Sequence, residues 1–592
     1  MNSFTQTLLC VTALLGLSLT THTHAAPQQR VDAKTSIRFD HFRDWTTMVA
    51  EMKELEHAYP TLFTVVEIGR SSLGLPIIVG ILEQRSTGAE LDKPAMYIDG
   101  NIHGNEIQSA ETVLYSAWYL LEHYGKNLAI TELVDRSVFY FVPSANPDGR
   151  QDWFHKLNTS SSARTGQQPT DDDRDGVCDE DGPDDINGDG SIGQMWRRDP
   201  TGAYRPSELD ANEMEFVAPV VKADGSILRG GWSMAGMEGI DNDGDGLVNE
   251  DSNGGYDLNR NWPADWHPDH VQNGAGDWPF SYPESRAIGA FIQTRPNIAA
   301  GQAYHNAGGM ILRGPGAATR ESEYPQADRA VYESIATTGE ALLPGYKSMV
   351  IHSDLYPVRG GFVNWLAESL GIVSFTNELW TDKRVMQNGQ NPTKEQSKLF
   401  EEKLRFEQTR TPLTKAVHPT HGEVLVGGGT KWSSRIPPSW MLEEECHRNF
   451  AFTMHHAGEM PRLHFGPASI KRLGSTLWQV DLEVVNDALI PSRTARAADK
   501  HIGLPDRLSL TVPAGARVIA SGFRNGRFDL AFNEQLDTPS ILDCERGVPS
   551  RGVLFARFLV QGAEDTELQA TYTAQKATDC TMRCSLREAA KP

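Results

Sequence analysis

The chain of 592 residues is too long for one ordinary hydrophobic core, so its length predicts two or three domains. Its composition, with 39% hydrophobic and 22% charged residues, is typical of a soluble globular protein. The formal net charge of −23 at pH 7 argues against nucleic acid or an anionic membrane as a partner, because either would favour a basic face.

The first 26 residues have the pattern of a secretory signal. A short apolar run over residues 8–19 is followed by small residues, and we expect cleavage near Ala25 or Ala26. The preceding segment, MNSFTQT, lacks the usual Lys or Arg, and Cys10 lies too early in the run for a lipid anchor. Because no later segment is long and apolar enough for stable membrane insertion, we predict a secreted or periplasmic protein, and we expect a monomer.

Cleavage would leave an odd number of cysteines in an oxidising compartment, namely Cys178, Cys446, Cys544, Cys580 and Cys584. At least one thiol is therefore expected to be free or intermolecular. Cys544 is a candidate to bridge either Cys580 or Cys584, and the sequence does not decide between them.

Helices and strands alternate from residue 37 onwards. The predicted elements are a helix over 37–60, strands at Phe63–Ile68, Ile77–Leu82, Ala95–Ile98 and Ser137–Pro143, and a helix after Glu106. This alternation predicts an α/β domain over 37–415, with a mixed, mostly parallel sheet and helices on both faces. Ligands of such sheets bind at the carboxyl ends of the strands.

The stretch DGNIHGNEIQ, residues 99–108, lies at one such strand end. It places His103 and Glu106 three residues apart on a predicted tight turn between strand and helix, so that both side chains can converge on one point. An imidazole and a carboxylate are ligands that suit zinc, and catalytic zinc takes three protein ligands and a water.

Residues 158–256 interrupt the alternation with a stretch rich in Asp, Gly, Asn and Ser. The segments 171–181 and 241–251 share the pattern DxDxDG, an apolar residue and an acidic pair, and a related DxNxDG begins at residue 185. Oxygen ligands at alternate positions followed by a glycine turn suit Ca²⁺, so we predict structural calcium rather than a solvated acidic loop. The predicted ligands are Asp171, Asp173, Asp175, Asp181, Asp185, Asn187, Asp189, Asp241, Asp243, Asp245 and Asp251.

The helix and strand pattern resumes at residue 257. Residues 416–460 hold many turn residues and a predicted helix around Ser439–His455, and we interpret them as a connecting region. From 461 to 592, short alternating runs separated by turns predict a small all-β sandwich domain without a catalytic motif.

Several polar motifs flank the predicted strand ends. They are AYHN with His305, MWRRD with Arg197, DLNRNW with Asn259 and Arg260, Tyr356 ahead of RGG, and FTNEL with Glu378. Each alone has a structural explanation as a cap, a salt bridge or a buried polar group. Together with HGNE, the order of these motifs and their residue sequences resemble those of the zinc carboxypeptidase family related to pancreatic carboxypeptidase A, over residues 37–415.

The resemblance implies a hydrolytic centre with one catalytic Zn²⁺. By this match His103, Glu106 and His305 would be the zinc ligands, Glu378 the general base, and Arg197 the arginine that polarises the scissile carbonyl. These roles fit peptide hydrolysis, which at neutral pH needs an activated water and a stabilised oxyanion.

The resemblance also implies that the substrate is the C-terminus of a peptide or protein. Asn259 and Arg260 would bind the terminal carboxylate, Arg260 bidentately, and Tyr356 would close over it. Val363 occupies the specificity position, which favours an apolar or aromatic C-terminal residue. Asn105 replaces the arginine of the digestive enzymes, and the segment after the signal is too short for their folded inhibitory pro-segment.

Two alternatives stay open. One is a cell-wall muropeptide peptidase of the same fold, because an exported chain could meet either substrate. The other is a non-catalytic calcium-dependent peptide- or glycan-binding protein, against which the presence of Glu378 argues, since such a protein has no chemical need for a base.

Overall fold

The computed structural model describes residues 33–171, 175–210, 212–249, 254–535 and 537–587; the predicted signal sequence, Asp173 and Asp251 lie outside them. Within these ranges the helices are α1 (Trp45–Ala58), α2 (Ile107–His123), α3 (Leu128–Arg136), α4 (Pro147–His155), α5 (Pro283–Gln293), α6 (Gln326–Leu342), α7 (Phe362–Leu370), α8 (Lys394–Lys403), α9 (Ser439–Gly458) and α10 (Ala495–Asp499).

The strands of the first three-quarters of the described chain are β1 (Phe63–Arg70), β2 (Pro76–Leu82), β3 (Ala95–Gly100), β4 (Val138–Val142), β5 (Gln194–Arg198), β6 (Tyr204–Pro206), β7 (Met214–Phe216), β8 (Val220–Val221), β9 (Ile227–Leu228), β10 (Trp232–Met237), β11 (Ile298–Asn306), β12 (Met310–Arg313), β13 (Lys347–Val350), β14 (Val373–Leu379), β15 (Arg410–His418) and β16 (Gly422–Gly429). The remaining strands are β17 (Leu463–Phe465), β18 (Ser469–Arg472), β19 (Leu477–Asn486), β20 (Asp506–Thr511), β21 (Arg517–Arg524), β22 (Asn533–Gln535), β23 (Ile541–Cys544), β24 (Val553–Gln561), β25 (Glu567–Ala574) and β26 (Ala577–Ser585).

A mixed sheet with the order β1-β2-β4-β3-β11-β14-β12-β13 forms the centre of the first domain. Strand β3 pairs in parallel with β4 and β11, β11 with β14, and β12 with β13, while the pairs β1–β2, β2–β4 and β12–β14 are antiparallel. Strands β3, β4 and β11 are buried along their whole length, as expected for parallel strands covered on both faces. The predicted α/β class and mostly parallel sheet are confirmed.

Helices cover both faces of this sheet. Helices α1, α2, α6 and α9 share one apolar core with it, which includes Trp45, Leu114 and Phe452. On the other face α5 and α7 form a second core around Ile288 and Trp365. The carboxyl ends of the central strands therefore open between two helical layers, which is where polar side chains can gather.

The connection from β3 to α2 is tight because of one glycine. A Cβ atom at Gly100 would lie 2.8 Å from the backbone carbonyl of Ser109, so only glycine lets the first turn of α2 pack directly on the strand end. Ser109 in turn accepts the Asn101 amide with its Oγ at 2.8 Å. This packing fixes the loop 101–106 that carries His103 and Glu106.

The acidic region contributes strands of its own. Strands β5, β6, β7 and β10 form one sheet with β15 and β16, in the order β15-β16-β5-β10-β6-β7. The interpretation of 416–460 as a connecting region needs correction, because β16 belongs to this sheet and α9 to the main core. Asn449 on α9, for example, accepts from the Asn377 side chain at 2.9 Å.

The C-terminal region contains two antiparallel sheets, β17-β19-β24-β21-β22 with β18 on β19, and β23-β20-β25-β26. Their inner faces share one core, with Trp478 and Phe558 from the first sheet and Leu508 and Tyr572 from the second, as predicted for an all-β sandwich. Neither candidate disulfide forms: Cys544, Cys580 and Cys584 are free thiols. Two strands separate β23 from β26, a spacing of about 14 Å, which is too far for a disulfide.

Polar contacts join the sandwich to the first domain. Asp328 on α6 accepts the backbone amides of Ala495 and Arg496, both at 2.8 Å. Lys576 donates through Nζ to the carbonyl of Ile298 at the start of β11, and burial lowers its pKa to about 7. Among the described helices, none has the length and hydropathy to cross a bilayer.

Candidate active site

Three side chains that suit a metal meet at the carboxyl edge of the central sheet. His103 lies in the loop after β3, Glu106 directly precedes α2, and His305 is near the end of β11. One ligand atom from each lies within 4.8 Å of the others, and all three are buried. His103 Nδ1 is 2.9 Å from Glu106 Oε1, and His305 Nδ1 is 3.0 Å from Glu106 Oε2. These residues are called the metal triad below.

The donor set fits a zinc ion. The two Nδ1 atoms face each other at 3.2 Å, an arrangement that a shared cation stabilises. Burial alone would raise the pKa of Glu106, but the two histidines hold it well below its usual value, so this ligand is anionic at neutral pH. Two imidazoles and one carboxylate leave a fourth position of a tetrahedral site for water.

Asp257, which the sequence motif contained without an assigned role, orients one of these ligands. Its Oδ1 lies 3.1 Å from His103 Nε2, on the side of the ring away from the metal triad. Burial would raise the pKa of Asp257, but His103 and Arg260 lower it. An anionic carboxylate here fixes the tautomer and orientation of a metal-binding imidazole.

Glu378 lies beside the metal triad without being part of it. It sits near the end of β14, in register with His305 on β11, and is partly open to the cleft. Burial, reinforced by the negative charge of Glu106, raises the pKa of Glu378 to about 7. A carboxylate with this pKa is suited to accept and release a proton near neutral pH.

Arg164 is an arginine that contacts two members of the metal triad. Its Nη1 lies 3.0 Å from Glu106 Oε1 and its Nη2 3.1 Å from His103 Nε2. Burial opposes its charge, but Glu106 and Asp257 outweigh this effect and raise the pKa of Arg164. The loop carrying it is fixed by the hydrogen bond from the Gly104 amide to the Arg164 carbonyl, at 3.0 Å.

The structure does not bring Arg197 to this centre, which corrects the predicted position of the carbonyl-polarising arginine. Arg197 is an exposed residue of β5, where it pairs with Ser233 on one side and Val424 on the other. Arg164 falls inside the predicted acidic insertion, which begins at residue 158, so the sequence pattern does not indicate it. The available signal was that Arg164 follows α4 before the first aspartate repeat.

The other predicted substrate residues surround a small cavity of about 50 Å³ next to the metal triad. Arg260 and Asn259 line one wall, and the Asn259 side chain is held by the Phe362 amide, which donates to its Oδ1 at 2.9 Å. Tyr356, 54% exposed, lies at the mouth, and Val363 lies in the wall. Four aliphatic side chains, Leu312, Ile351, Leu355 and Val358, also line the cavity, together with the polar Asn364 and Thr376 and the residues of the metal centre.

A larger, open cleft of about 720 Å³ adjoins this cavity. Arg164, Leu355, Tyr356 and Glu378 line both, so the two spaces meet at the proposed base. The larger cleft is otherwise mostly polar, lined among others by Asn105, Asn306, Asp382, Asn391 and Arg435. The arrangement can accommodate an extended chain with its end in the small cavity and the remainder in the cleft.

The acidic loops lie between Arg164 and Asp257 in the chain. The carboxylates of Asp241, Asp243 and Asp245 approach within 4.8 Å of one another, a group that could hold a metal ion. Asp171 and Asp185 each accept a glycine amide within their own loops, from Gly176 and Gly190. Asp175, Asp181, Asn187 and Asp189 are also described, and calcium binding by these residues stays a prediction.

The family of the chain follows from its similarity to known proteins. Residues 48–184 and 212–404 match the zinc carboxypeptidase family, which covers more than half of the chain, and the chain belongs to this family. This confirms the resemblance read from the motifs. Residues 462–585 match a domain family of unknown function.

Individual relatives match over short stretches. Carboxypeptidase Z of Mus musculus is 34% identical over 116 residues, 19% of this chain and 18% of that protein. Inactive metallocarboxypeptidase ECM14 of Saccharomyces cerevisiae is 30% identical over 118 residues, 20% and 27% of the two chains. The carboxypeptidase A structure from Helicoverpa armigera is 16% identical, with a TM-score of 0.42 and coverage of 72% of this chain and 76% of that one. The chain thus covers well under two thirds of these sequence relatives.

Proposed function

We propose that the protein is a secreted, zinc-dependent metallocarboxypeptidase that removes C-terminal residues from peptides. The observation that supports this most is the junction of the two cavities, where Glu378 and Arg164 stand beside the metal triad and Arg260 lies a short way beyond. Such an arrangement offers a base, an oxyanion partner and a carboxylate partner along one substrate path.

Each side chain has a defined task in this reaction. Zinc held by the metal triad would supply the Lewis acidity that activates water and polarises the scissile carbonyl. Glu378 accepts the proton of the attacking water at its carboxylate and delivers it to the leaving amine nitrogen. Arg164 stabilises the negative charge that develops on the carbonyl oxygen, which is the role that the family resemblance implies for Arg197.

Substrate selection rests on the small cavity. Arg260 and Asn259 bind the terminal carboxylate there, and Tyr356 closes the mouth over the bound residue. Because Val363 and four further aliphatic side chains, Leu312, Ile351, Leu355 and Val358, line this cavity, the preferred C-terminal side chain is apolar or aromatic. An internal peptide bond has no carboxylate for Arg260, which makes the enzyme an exopeptidase.

The alternatives differ from this proposal at specific residues. Some relatives of the chain are named inactive, yet here the metal triad and Glu378 stand together, and a pure binding protein would not need a carboxylate with a raised pKa beside the metal triad. A muropeptide peptidase would use the same centre with a different occupant of the larger cleft. The fold is the same for both functions. Hydrolysis assays with muropeptides and with ordinary peptides therefore distinguish a muropeptide peptidase from the proposed metallocarboxypeptidase.

Arg260 gives a sharp test of the exopeptidase proposal. Zinc-loaded protein should hydrolyse a peptide with a free C-terminal carboxylate far faster than its C-terminal amide. Arg260→Ala should lower kcat/KM for the free acid by about 100-fold or more, because a charged partner in a partly buried site is lost. Arg286→Ala, an exposed arginine on α5, is the matched control. Equal rates on acid and amide by the parent would refute carboxylate recognition.

We further propose that the acidic loops bind structural calcium. The repeated register and the approach of Asp241, Asp243 and Asp245 support this. Ligand binding to the folded state adds about 2.7 kcal/mol at a hundredfold excess over Kd, so Ca²⁺ should raise Tm by several degrees after EDTA treatment. Asp241→Ala should reduce that rise, whereas Asp224→Ala, outside the loops, should not. The same Tm with and without Ca²⁺ would exclude a structural calcium site.

A further inference from the structure

A second guanidinium, that of Arg435, reaches the larger cleft from outside the part of the chain that matches the peptidase family. Arg435 lies between β16 and α9. Its Nη2 is 3.2 Å from Glu106 Oε1 and donates to the carbonyl of Asn306 at 2.6 Å. Since Arg164 contacts the same oxygen of Glu106, the two guanidinium groups stand side by side beside the metal triad.

The position of Arg435 is fixed by its own backbone. Asn306 returns a hydrogen bond from Nδ2 to the Arg435 carbonyl at 3.0 Å. Arg405 donates to the carbonyls on both sides of it, to Ser433 at 2.8 Å and to Ile436 at 3.3 Å. Arg435 also has φ of +68°, a conformation that a non-glycine residue adopts only where its surroundings hold it there.

Donor groups of Arg435 remain for a ligand. A guanidinium carries five N–H donors, and within the described residues the polar contacts of this side chain are made by Nη2. Its Nε is buried and has no hydrogen-bond partner in the described part of the chain. The side chain is nevertheless 30% exposed, towards the cleft. The exposed part of the guanidinium, which lines the open cleft, can therefore donate to an acceptor that the substrate supplies.

The positions of the two cavities indicate which part of a substrate would supply this acceptor. Arg260 lies only in the small cavity and Arg435 only in the larger cleft, with Glu378 lining both. If the small cavity takes the C-terminal residue, as in the proposed function, the cleft takes the acyl side of the scissile bond. Asn105 also lines the larger cleft.

We propose that Arg435 is a substrate-binding residue that donates a hydrogen bond to a backbone carbonyl on the acyl side, upstream of the scissile bond. This inference rests on the proposed function. It predicts that peptides extending into the cleft depend on Arg435, whereas a substrate with a single residue on the acyl side does not.

A length series tests this inference. The substrates share one C-terminal residue and carry either one or three residues on the acyl side, and the proteins are the parent, Arg435→Ala and Arg435→Lys. A hydrogen bond to a charged group contributes about 1.5–3 kcal/mol, so Arg435→Ala should lower kcat/KM for the long substrate by roughly 10- to 100-fold. The short substrate should change by no more than about twofold. Arg435→Lys should recover part of the loss on the long substrate only.

Two controls make the outcome unambiguous. Zinc content is measured for each protein because Arg435 contacts Glu106, and Arg448→Ala, on the surface of α9, reports the effect of removing an arginine elsewhere. An equal loss on both substrates with zinc retained would mean that Arg435 only positions Glu106, and no loss on either would remove it from substrate binding; both overturn the inference. An inactive parent overturns the proposed function itself, and this inference with it.

Discussion

Replacing Glu378 by glutamine is expected to remove most of the peptide hydrolysis while leaving zinc bound. Glutamine keeps the shape of the side chain at the end of β14 but cannot take a proton from water. General base catalysis contributes typically 10²- to 10⁴-fold, so kcat should fall by about that factor. Zinc content should stay at the parent value, because Glu378 is not part of the metal triad.

The control for this substitution is Glu333→Gln on the exposed surface of α6, which should leave kcat unchanged. Unfolding of both variants is followed to show that neither loses the fold. If Glu378→Gln hydrolysed peptides as fast as the parent, the assignment of the base would be wrong. Loss of zinc together with activity would instead show that Glu378 supports the metal site.

The second large effect is expected at Arg164. Its guanidinium contacts Glu106 and His103 and lines both cavities, so it is placed to face the carbonyl oxygen of the scissile bond. Removal of one oxyanion-stabilising donor lowers kcat by about 10²- to 10³-fold in comparable sites, and we expect this for Arg164→Ala. Arg164→Lys should restore only part of the rate, because a lysine lacks the fork of donors.

Arg197→Ala is the natural comparison, since the sequence motif pointed there. Arg197 is exposed on β5, and its replacement should keep kcat/KM within about twofold of the parent. Measuring both variants on one peptide distinguishes the two arginines directly. A large loss in Arg197→Ala combined with a small one in Arg164→Ala would contradict the site described above.

The local part of the metal triad could be predicted from the residues themselves, and His305 as its third member followed from the family resemblance. The HGNE motif sits between a buried strand and an amphipathic helix, and His305 and Glu378 end strands that pair in register. Sequence periodicity finds such strands, and the topology of a parallel sheet then brings their carboxyl ends to one edge. The fold class followed from the same alternation.

Arg164 and Arg435 could not be found in this way. Both lie on irregular segments whose positions depend on distant backbone contacts, such as Gly104 with the Arg164 carbonyl and Arg405 with the carbonyls around Arg435. Loops carry no periodicity, so spacing along the chain does not indicate what they touch. The similarity of the MWRRD motif to the family pattern therefore pointed to Arg197 instead of Arg164.

The interpretation of 416–460 failed for a related reason. Strand β16 is stabilised by pairing with β5, which lies more than two hundred residues earlier, and α9 packs on the main sheet although turn residues surround it in sequence. Such long-range partners are invisible to a local pattern. The predicted connecting region therefore contributes β16 and α9 to the first domain, and the loop between them carries Arg435 to the cleft.

The most direct test of the central claim is the release of single amino acids from a mixed peptide library by zinc-loaded protein. The library is used with free C-termini and as a C-terminally amidated copy, and products are identified by mass. We predict release from the free-carboxylate peptides only, with apolar and aromatic residues ranked first. Cleavage of both libraries, or release of nothing from either, would contradict the assignment of a metallocarboxypeptidase.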